Sequence, residues 1–184
     1  MTTITIWAPS RYRFERLGQF FEEHSTLRRQ NIITIQIRHH ENLRERLINN
    51  ISNEITYQRR NSNIQVLVID DWDLENGFSP DQTAVLVQNL LNLGQVFPKT
   101  SIVICDLIGC LFAESRFTHD EIRQLKLRLR QLILLGDIGN VYSNHGEEFD
   151  GQERHDNGLL NEQGIIRLTN LIVEDIAHLP VNRF

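Results

Sequence analysis

The chain has 184 residues, of which 40% are hydrophobic and 23% are charged, and its net charge is −5 at pH 7. This length predicts a single domain over residues 1–184 that can bury a core without disulfides or metals. No apolar run reaches the length of a membrane span and the first residues lack a secretory pattern, so we expect a protein of the cytoplasm or nucleus with no membrane partner.

Two strand–helix pairs fill the first third of the chain. The alternating, β-branched run 3–7 predicts a strand that residues 8–10 break, and apolar residues at helical spacing then predict a helix over 11–26. The run 32–37 predicts a second strand, and the apolar spacing over 43–55 predicts a second helix.

A continuous apolar run over 64–69 predicts a strand covered on both faces, and it leads directly into the acidic cluster 70–73. Ser79 and Pro80 then form a strong helix start, because Ser is a preferred N-cap and Pro fits the first helical position. We expect this helix to end near Leu93.

The remaining elements continue the alternation. The run 100–105 predicts a fourth strand, and a capping-box pattern predicts a helix over 118–135. A short fifth strand is expected at 140–142. A long loop over 145–158 precedes a final amphipathic helix that includes residues 165–176.

Strands that alternate with helices predict a three-layer α/β/α sandwich around a flavodoxin-like parallel sheet of about five strands. The carboxyl ends of parallel strands share one edge, so Ser10, the segment 38–41 and the segment 70–73 would meet there. A serine nucleophile needs a base and oxyanion donors, and the sequence fixes no such partner for Ser10. A lone serine of this kind is more typical of a helix N-cap.

The sequence contains no pattern typical of a cofactor or metal site. It lacks a glycine-rich phosphate loop and a dinucleotide fingerprint, so we expect no cofactor. The loop 145–158 matches no ordered ligand pattern, which predicts a solvated acidic loop. His39 and His40 are adjacent and would point to opposite sides of an extended chain, which makes them poor chelators. Cys105 and Cys110 match neither a metal site nor a disulfide framework.

Positive and negative charges are distributed unevenly along the chain. Residues 1–62 contain ten arginines and six carboxylates, a balance of +4, whereas residues 63–184 contain nine basic side chains and eighteen carboxylates, a balance of −9. Seventeen of the nineteen cations are arginine, which forks onto phosphates and stacks on bases. A compositional bias of the source genome would give the same excess, so both explanations remain open.

Three pieces of the chain, in order, resemble the SGNH or GDSL-type hydrolases. Residues 4–10, Ile-Thr-Ile-Trp-Ala-Pro-Ser, resemble the family's first strand running into Gly-Asp-Ser. Residues 66–74, Val-Leu-Val-Ile-Asp-Asp-Trp-Asp-Leu, resemble its strand ending in Gly-Thr-Asn-Asp-Leu. Residues 156–164, Asp-Asn-Gly-Leu-Leu-Asn-Glu-Gln-Gly, resemble its closing motif Asp-Gly-x-His-Leu-Asn-x-x-Gly. The resemblance covers nearly the whole chain and implies the family's flavodoxin-like fold.

The same resemblance implies a degenerate catalytic site. Ser10 matches the nucleophile, and Asp156 matches the acid of the closing motif, but Leu159 stands at the position of its His. Trp72 stands at the position of the oxyanion Asn, and the segment 38–41 has no counterpart of the oxyanion Gly. A serine hydroxyl without a base is a weak nucleophile at neutral pH, so we expect no hydrolase activity.

The resemblance therefore predicts a catalytically inactive hydrolase-like domain that binds a partner. Single-stranded RNA is the leading ligand, since arginines and exposed aromatic side chains are what RNA recognition uses. The carboxy-terminal domain of the germ-plasm protein Oskar, which is SGNH-like and binds RNA, is similar in kind. The expected RNA-binding residues are Arg11, Tyr12, Arg13, Arg38, His39, His40 and Trp72.

Two alternatives to RNA binding stay open. One is a protein-interaction scaffold, in which the arginine-rich first third docks on an acidic partner. The other is an active serine esterase or acyl hydrolase with a rearranged triad, which requires a histidine within reach of Ser10. The histidines that could serve are His39, His40, His145 and His155.

Overall fold

The computed structural model describes residues 2–9, 32–40, 44–70, 79–108, 117–135, 139–146, 148–156 and 159–179. The strands within them are β1 (Thr2–Pro9), β2 (Ile32–His40), β3 (Ser62–Ile69), β4 (Thr100–Asp106) and β5 (Val141–Asn144). The helices are α1 (Arg44–Tyr57), α2 (Pro80–Val96), α3 (His119–Leu135) and α4 (Glu162–Ala177), and a 3-10 turn covers Gly151–Glu153.

The five strands form one parallel sheet in the spatial order β2-β1-β3-β4-β5. All residues of β4 and all but the first of β3 are buried. Burial on both faces explains why these two strands carry apolar runs without regular polar alternation. The predicted flavodoxin-like sheet of about five parallel strands is confirmed.

Helices cover both faces of this sheet, which confirms the three-layer architecture. The core on one face joins α4 to β1, β3 and β4, and includes Ile6, Val66, Val103, Leu168 and Ile172. The core on the other face joins α1, α2 and α3 to the same strands, and includes Leu47, Leu67, Val87, Ile104 and Leu129. Among the described helices, none combines the length and apolarity needed to cross a bilayer.

The predicted helix starts are confirmed by their capping hydrogen bonds. The Gln82 backbone N–H donates to Ser79 Oγ at 3.2 Å, and the Ser79 N–H donates to the Gln82 side chain at 3.0 Å, with Pro80 in the first turn. At the start of α3, the Glu121 N–H donates to Thr118 Oγ1 at 3.2 Å. Local side-chain chemistry therefore sets where α2 and α3 begin.

Three element ends differ from the predicted ones. β1 includes Pro9, although the sequence predicted that the strand would break at residues 8–10. β3 pairs with β1 only as far as Trp7, so the absence of an N–H on Pro9 removes no hydrogen bond between β1 and β3. β2 continues through 38–40, where it still pairs with β1. α2 runs past Leu93 to Val96 because packing on β4 outweighs the local preference to end.

Candidate functional site

Half of the predicted site residues, and the predicted helix over 11–26, lie outside the described residues. The residues concerned are Ser10, Arg11, Tyr12, Arg13 and Trp72. For His39 and His40 the backbone is described, at the end of β2. Arg38 is exposed, and its guanidinium donates to the Gln36 side chain at 3.3 Å. Of the predicted site, the structure therefore describes the side chains of Arg38, Asp156 and Leu159.

The carboxyl ends of β3 and β4 carry two buried carboxylates, Asp70 at 4% exposure and Asp106 at 0%. Asp106 accepts hydrogen bonds from the Tyr142 hydroxyl at 2.7 Å and from the Ile108 N–H at 2.8 Å. Burial raises the pKa of Asp106, and these two hydrogen bonds oppose the rise. Burial and the charge of Asp106 also raise the pKa of Tyr142, so its hydroxyl stays protonated and ties β5 to β4.

His145 follows β5 and lies between two carboxylates. Its Nε2 is 3.0 Å from Asp175 Oδ2, and its Nδ1 is 3.3 Å from Glu148 Oε2, an ion-pair contact that lacks hydrogen-bond geometry. The Ser143 hydroxyl donates to the other oxygen of Asp175 at 2.6 Å. Asp175, on α4, is 6% exposed. This buried cluster of Ser143, His145 and Asp175 links α4 to the end of β5.

The protonation state of His145 follows from these contacts. Burial lowers its pKa, but the hydrogen bond and charge of Asp175, together with the charge of Glu148, outweigh burial and leave the pKa raised. The raised pKa favours the imidazolium, which is the form that pairs with carboxylates. Both ring nitrogens of His145 face carboxylates.

Cys105 lies beside the buried cluster and completes a group of possible metal ligands. Its Sγ, a ring nitrogen of His145 and a carboxylate oxygen of Asp175 lie within 4.8 Å of one another. Burial and then the charges of Asp175 and Asp106 raise the pKa of the Cys105 thiol, whereas a metal ligand needs the thiolate. Both Asp175 oxygens already accept from Ser143 and His145, whereas His145 Nδ1 has no hydrogen-bond partner among the described residues.

The loop 145–158 is partly packed, although its carboxylates Glu148, Asp150 and Asp156 are exposed as predicted. Phe149 is 5% exposed, and the guanidinium groups of Arg154 and Arg167 each lie 5.6 Å from its ring centroid. Arg167 of α4 also pairs with Glu153. This packing could not be predicted from the acidic composition of the loop, because Phe149 and the arginines that contact it are separated along the chain.

Asp156 and Leu159, the matches of the family's acid and base, lie in a tight turn. Arg154 and Leu160 form an antiparallel bridge, and the His155 N–H donates to the Leu159 carbonyl at 2.7 Å. Asp156 is exposed and Leu159 is half-buried. A leucine side chain cannot take a proton, so this turn carries no general base at the family's position.

The rest of the closing motif has a structural role. Leu160 is buried, and Asn161 caps α4 by accepting from the Gly164 N–H at 3.1 Å. A Cβ on Gly164 would lie 2.3 Å from the Glu153 carbonyl oxygen, closer than side chains approach backbone. Leu160, Asn161 and Gly164 of the closing motif therefore pack or cap the start of α4.

The buried cluster was not predicted as a unit from the sequence. Asp175 and His145 are 30 residues apart, and no spacing pattern links them. One signal was present: Asp175 lies on the apolar face of the last helix, beside Ile172 and Ile176. A carboxylate on a buried helix face requires a partner.

The arginines of the first third whose side chains the structure describes form no ion pair with another described residue. Four of them are exposed there: Arg38, Arg46, Arg59 and Arg60. Arginines nearer the carboxyl end behave differently. Arg123, Arg128 and Arg167 pair with Asp120, Asp81 and Glu153, respectively.

No protein-family profile matches the chain, and no curated protein matches it. Among solved structures, the chain is similar to a family 3 carbohydrate esterase from Clostridium thermocellum, with a TM-score of 0.63 and 13% sequence identity. The similarity covers 96% of each chain. At this identity the similarity establishes the fold alone, which is the SGNH-hydrolase-like fold that the motifs predicted.

Proposed function

We propose that this chain is a catalytically inactive SGNH-hydrolase-like domain, spanning residues 1–184, that binds single-stranded RNA through its arginine-rich surface. The observation that carries the proposal is the exposure of Arg38 and Arg46, near the end of β2 and the start of α1, without carboxylate partners among the described residues. A guanidinium that is not paired internally can fork onto a phosphate and stack on a base.

Two features of the site support the loss of catalysis. Leu159 stands where the family's motif has its His, and a leucine supplies no base. His145 faces Asp175 and Glu148 through its two nitrogens. A hydrolase of this fold would have to use a different histidine.

The net charge of −5 limits how this surface can bind RNA. Affinity for a polyanion depends on the number of phosphates that local cations neutralise, and each contact makes binding weaken with added salt. The proposal therefore requires that the cations act together as a local surface, with Arg11 and Arg13 joining Arg38 at the carboxyl edge of the sheet.

The test is fluorescence anisotropy of a labelled oligouridine at low and high salt. The triple variant Arg11→Glu, Arg13→Glu and Arg38→Glu is expected to bind at least about tenfold more weakly than the unchanged chain. The matched control is Arg123→Glu, Arg128→Glu and Arg130→Glu, which makes the same charge change on α3. Equal losses in the two variants would show an unspecific charge effect, and no binding by the unchanged chain would overturn the RNA proposal in favour of a protein scaffold.

The esterase fold of the structural neighbour favours one second candidate, hydrolysis of a carbohydrate ester, for which an acetylated sugar is the test substrate. This activity requires Ser10 and a histidine outside the His145 cluster. We expect the chain to release acetate from an acetylated sugar no faster than its Ser10→Ala variant does. If the unchanged chain hydrolyses the ester and Ser10→Ala does not, the chain is an active hydrolase and the proposed loss of catalysis is wrong.

A further inference from the structure

A cluster of exposed cations lies at the amino edge of the sheet, where the turns before β3 and β4 meet. Lys99 Nζ donates to the Arg60 carbonyl at 3.1 Å, and the Asn63 N–H donates to the Lys99 carbonyl at 3.1 Å. Arg59, Arg60 and Lys99 are exposed. The amino-edge cluster consists of these three cations and Tyr57, the last residue of α1.

Tyr57 is 88% exposed, more than any other large hydrophobic side chain in the described part of the chain. A ring in this position contributes little to the core. In proteins that bind single strands, an exposed aromatic face takes a base and adjacent cations take the flanking phosphates. Tyr57 precedes Arg59 and Arg60 in the chain by only two and three residues.

The turn that presents Arg59 and Arg60 is held by its own hydrogen bonds. Gln58 is buried, and its side chain donates to Glu54 at 3.0 Å. The Asn61 N–H donates to the Gln58 carbonyl at 2.8 Å. Glu54 is therefore engaged by Gln58 and does not pair with the arginines. A preformed turn loses less conformational entropy when it binds a ligand.

We propose that the amino-edge cluster is a second contact site for single-stranded RNA, in which Tyr57 stacks on a base and the three cations bind phosphates. The proposal rests on the proposed RNA-binding function and adds a site that the carboxyl-edge arginines do not include. The eight residues of β1 separate the two edges by about 26 Å. The two contacts are therefore distinct, and their contributions can be removed one at a time.

The test uses the full chain and a labelled oligouridine of about 20 nucleotides, long enough to occupy more than one contact. Tyr57→Ala is expected to weaken binding about tenfold, whereas Tyr57→Phe keeps the ring and binds like the unchanged chain. The variant Arg59→Gln, Arg60→Gln and Lys99→Gln is expected to reduce the slope of log K against log salt by about 2. The charge-matched control is Arg123→Gln, Arg128→Gln and Arg130→Gln, for which we expect a smaller change of slope.

The outcomes separate this inference from the proposed function. If the unchanged chain binds and the carboxyl-edge variant loses affinity, but the Tyr57→Ala and amino-edge cation variants bind normally, the amino-edge site is overturned and RNA binding stands. If the control lowers the slope as much as the amino-edge variant does, the cluster is not a distinct site. If the unchanged chain does not bind oligouridine, both proposals fail. Because Tyr57, Arg59, Arg60, Lys99 and the three control arginines are exposed, circular dichroism is expected to show a native fold in the amino-edge and control variants.

Discussion

Two regions near the carboxyl end of the chain each contain a histidine and an aspartate. In one region these side chains are buried and in the other they are exposed, and their roles differ accordingly. In the buried cluster, Asp175 accepts from Ser143 and His145 and fastens α4 to β5. In the turn of the closing motif, His155 and Asp156 are both exposed. The comparison shows that residue types suited to catalysis can serve packing in one place and remain solvated in another.

The electrostatics of the two regions differ for the same reason. In the buried cluster low solvation makes each contact strong, and the pKa of His145 is raised by its carboxylate neighbours. At the surface, water and salt screen the charges and weaken any pairing. Substitutions should therefore have large effects on stability in the cluster and small effects in the turn.

The largest effect is expected from Asp175→Ala. This substitution leaves His145 buried without its main partner and removes the acceptor of the Ser143 hydroxyl. Breaking a buried ion pair from one side costs about 3 kcal/mol of unfolding free energy, which urea denaturation would measure. The matched control is Glu174→Ala, at an exposed position on the same helix, and equal losses in the two variants would contradict the role of the cluster.

A somewhat smaller loss is expected from Gly164→Ala, which places a Cβ against the Glu153 carbonyl oxygen. The backbone must shift to accept it, at a cost of about 2 kcal/mol. The control is Gly151→Ala, because a Cβ there would contact nothing within 4 Å. Similar melting temperatures for the two variants would show that the loop does not pack on α4 as described.

The pH dependence of stability tests His145 directly. Its pKa is raised in the folded state, so the folded state holds the proton more tightly than the unfolded state does. This contribution is complete below the unfolded value of about 6.5 and is lost as pH rises through the folded pKa. The stability advantage of the unchanged chain over His145→Gln should therefore shrink with rising pH. Asp106 is present in both chains, so the difference isolates His145, and a constant difference would refute the assignment.

The smallest effect is expected from Asp156→Ala in the exposed turn. Its carboxylate faces solvent, so we expect a change in unfolding free energy below about 0.5 kcal/mol. The same variant should leave ester hydrolysis at the level of the unchanged chain. A large fall in either quantity would show that Asp156 keeps the role that the hydrolase motif assigns to it.

Much of the fold could be predicted because its signals are local. The apolar run 64–69 lies in β3, and Ser79 with Pro80 marks the start of α2. Prediction failed where an element depends on a distant partner. Pro9 belongs to β1 because β2 pairs beside it, and Phe149 is buried because it joins the core that α4 covers.

The candidate site divides in the same way. The closing motif identified Asp156, Leu159 and Gly164 from a single contiguous stretch, and the structure supplies a physical reason for its glycine. The cluster around His145 could not be found this way, because its members come from β5, the following loop and α4. The amino-edge cluster likewise depends on two turns that approach only in the folded sheet.

By itself the sequence determined the alternation of strands and helices, the capped helix starts and the leucine at the family's histidine position. These follow from side-chain periodicity and local hydrogen bonding, which act over a few residues. Tertiary structure alone decided which carboxylates are buried, which histidine they hold and which arginines remain exposed without carboxylate partners in the described ranges. Those outcomes depend on solvation and on contacts between distant segments, and they exist only once the sheet and its helices have packed.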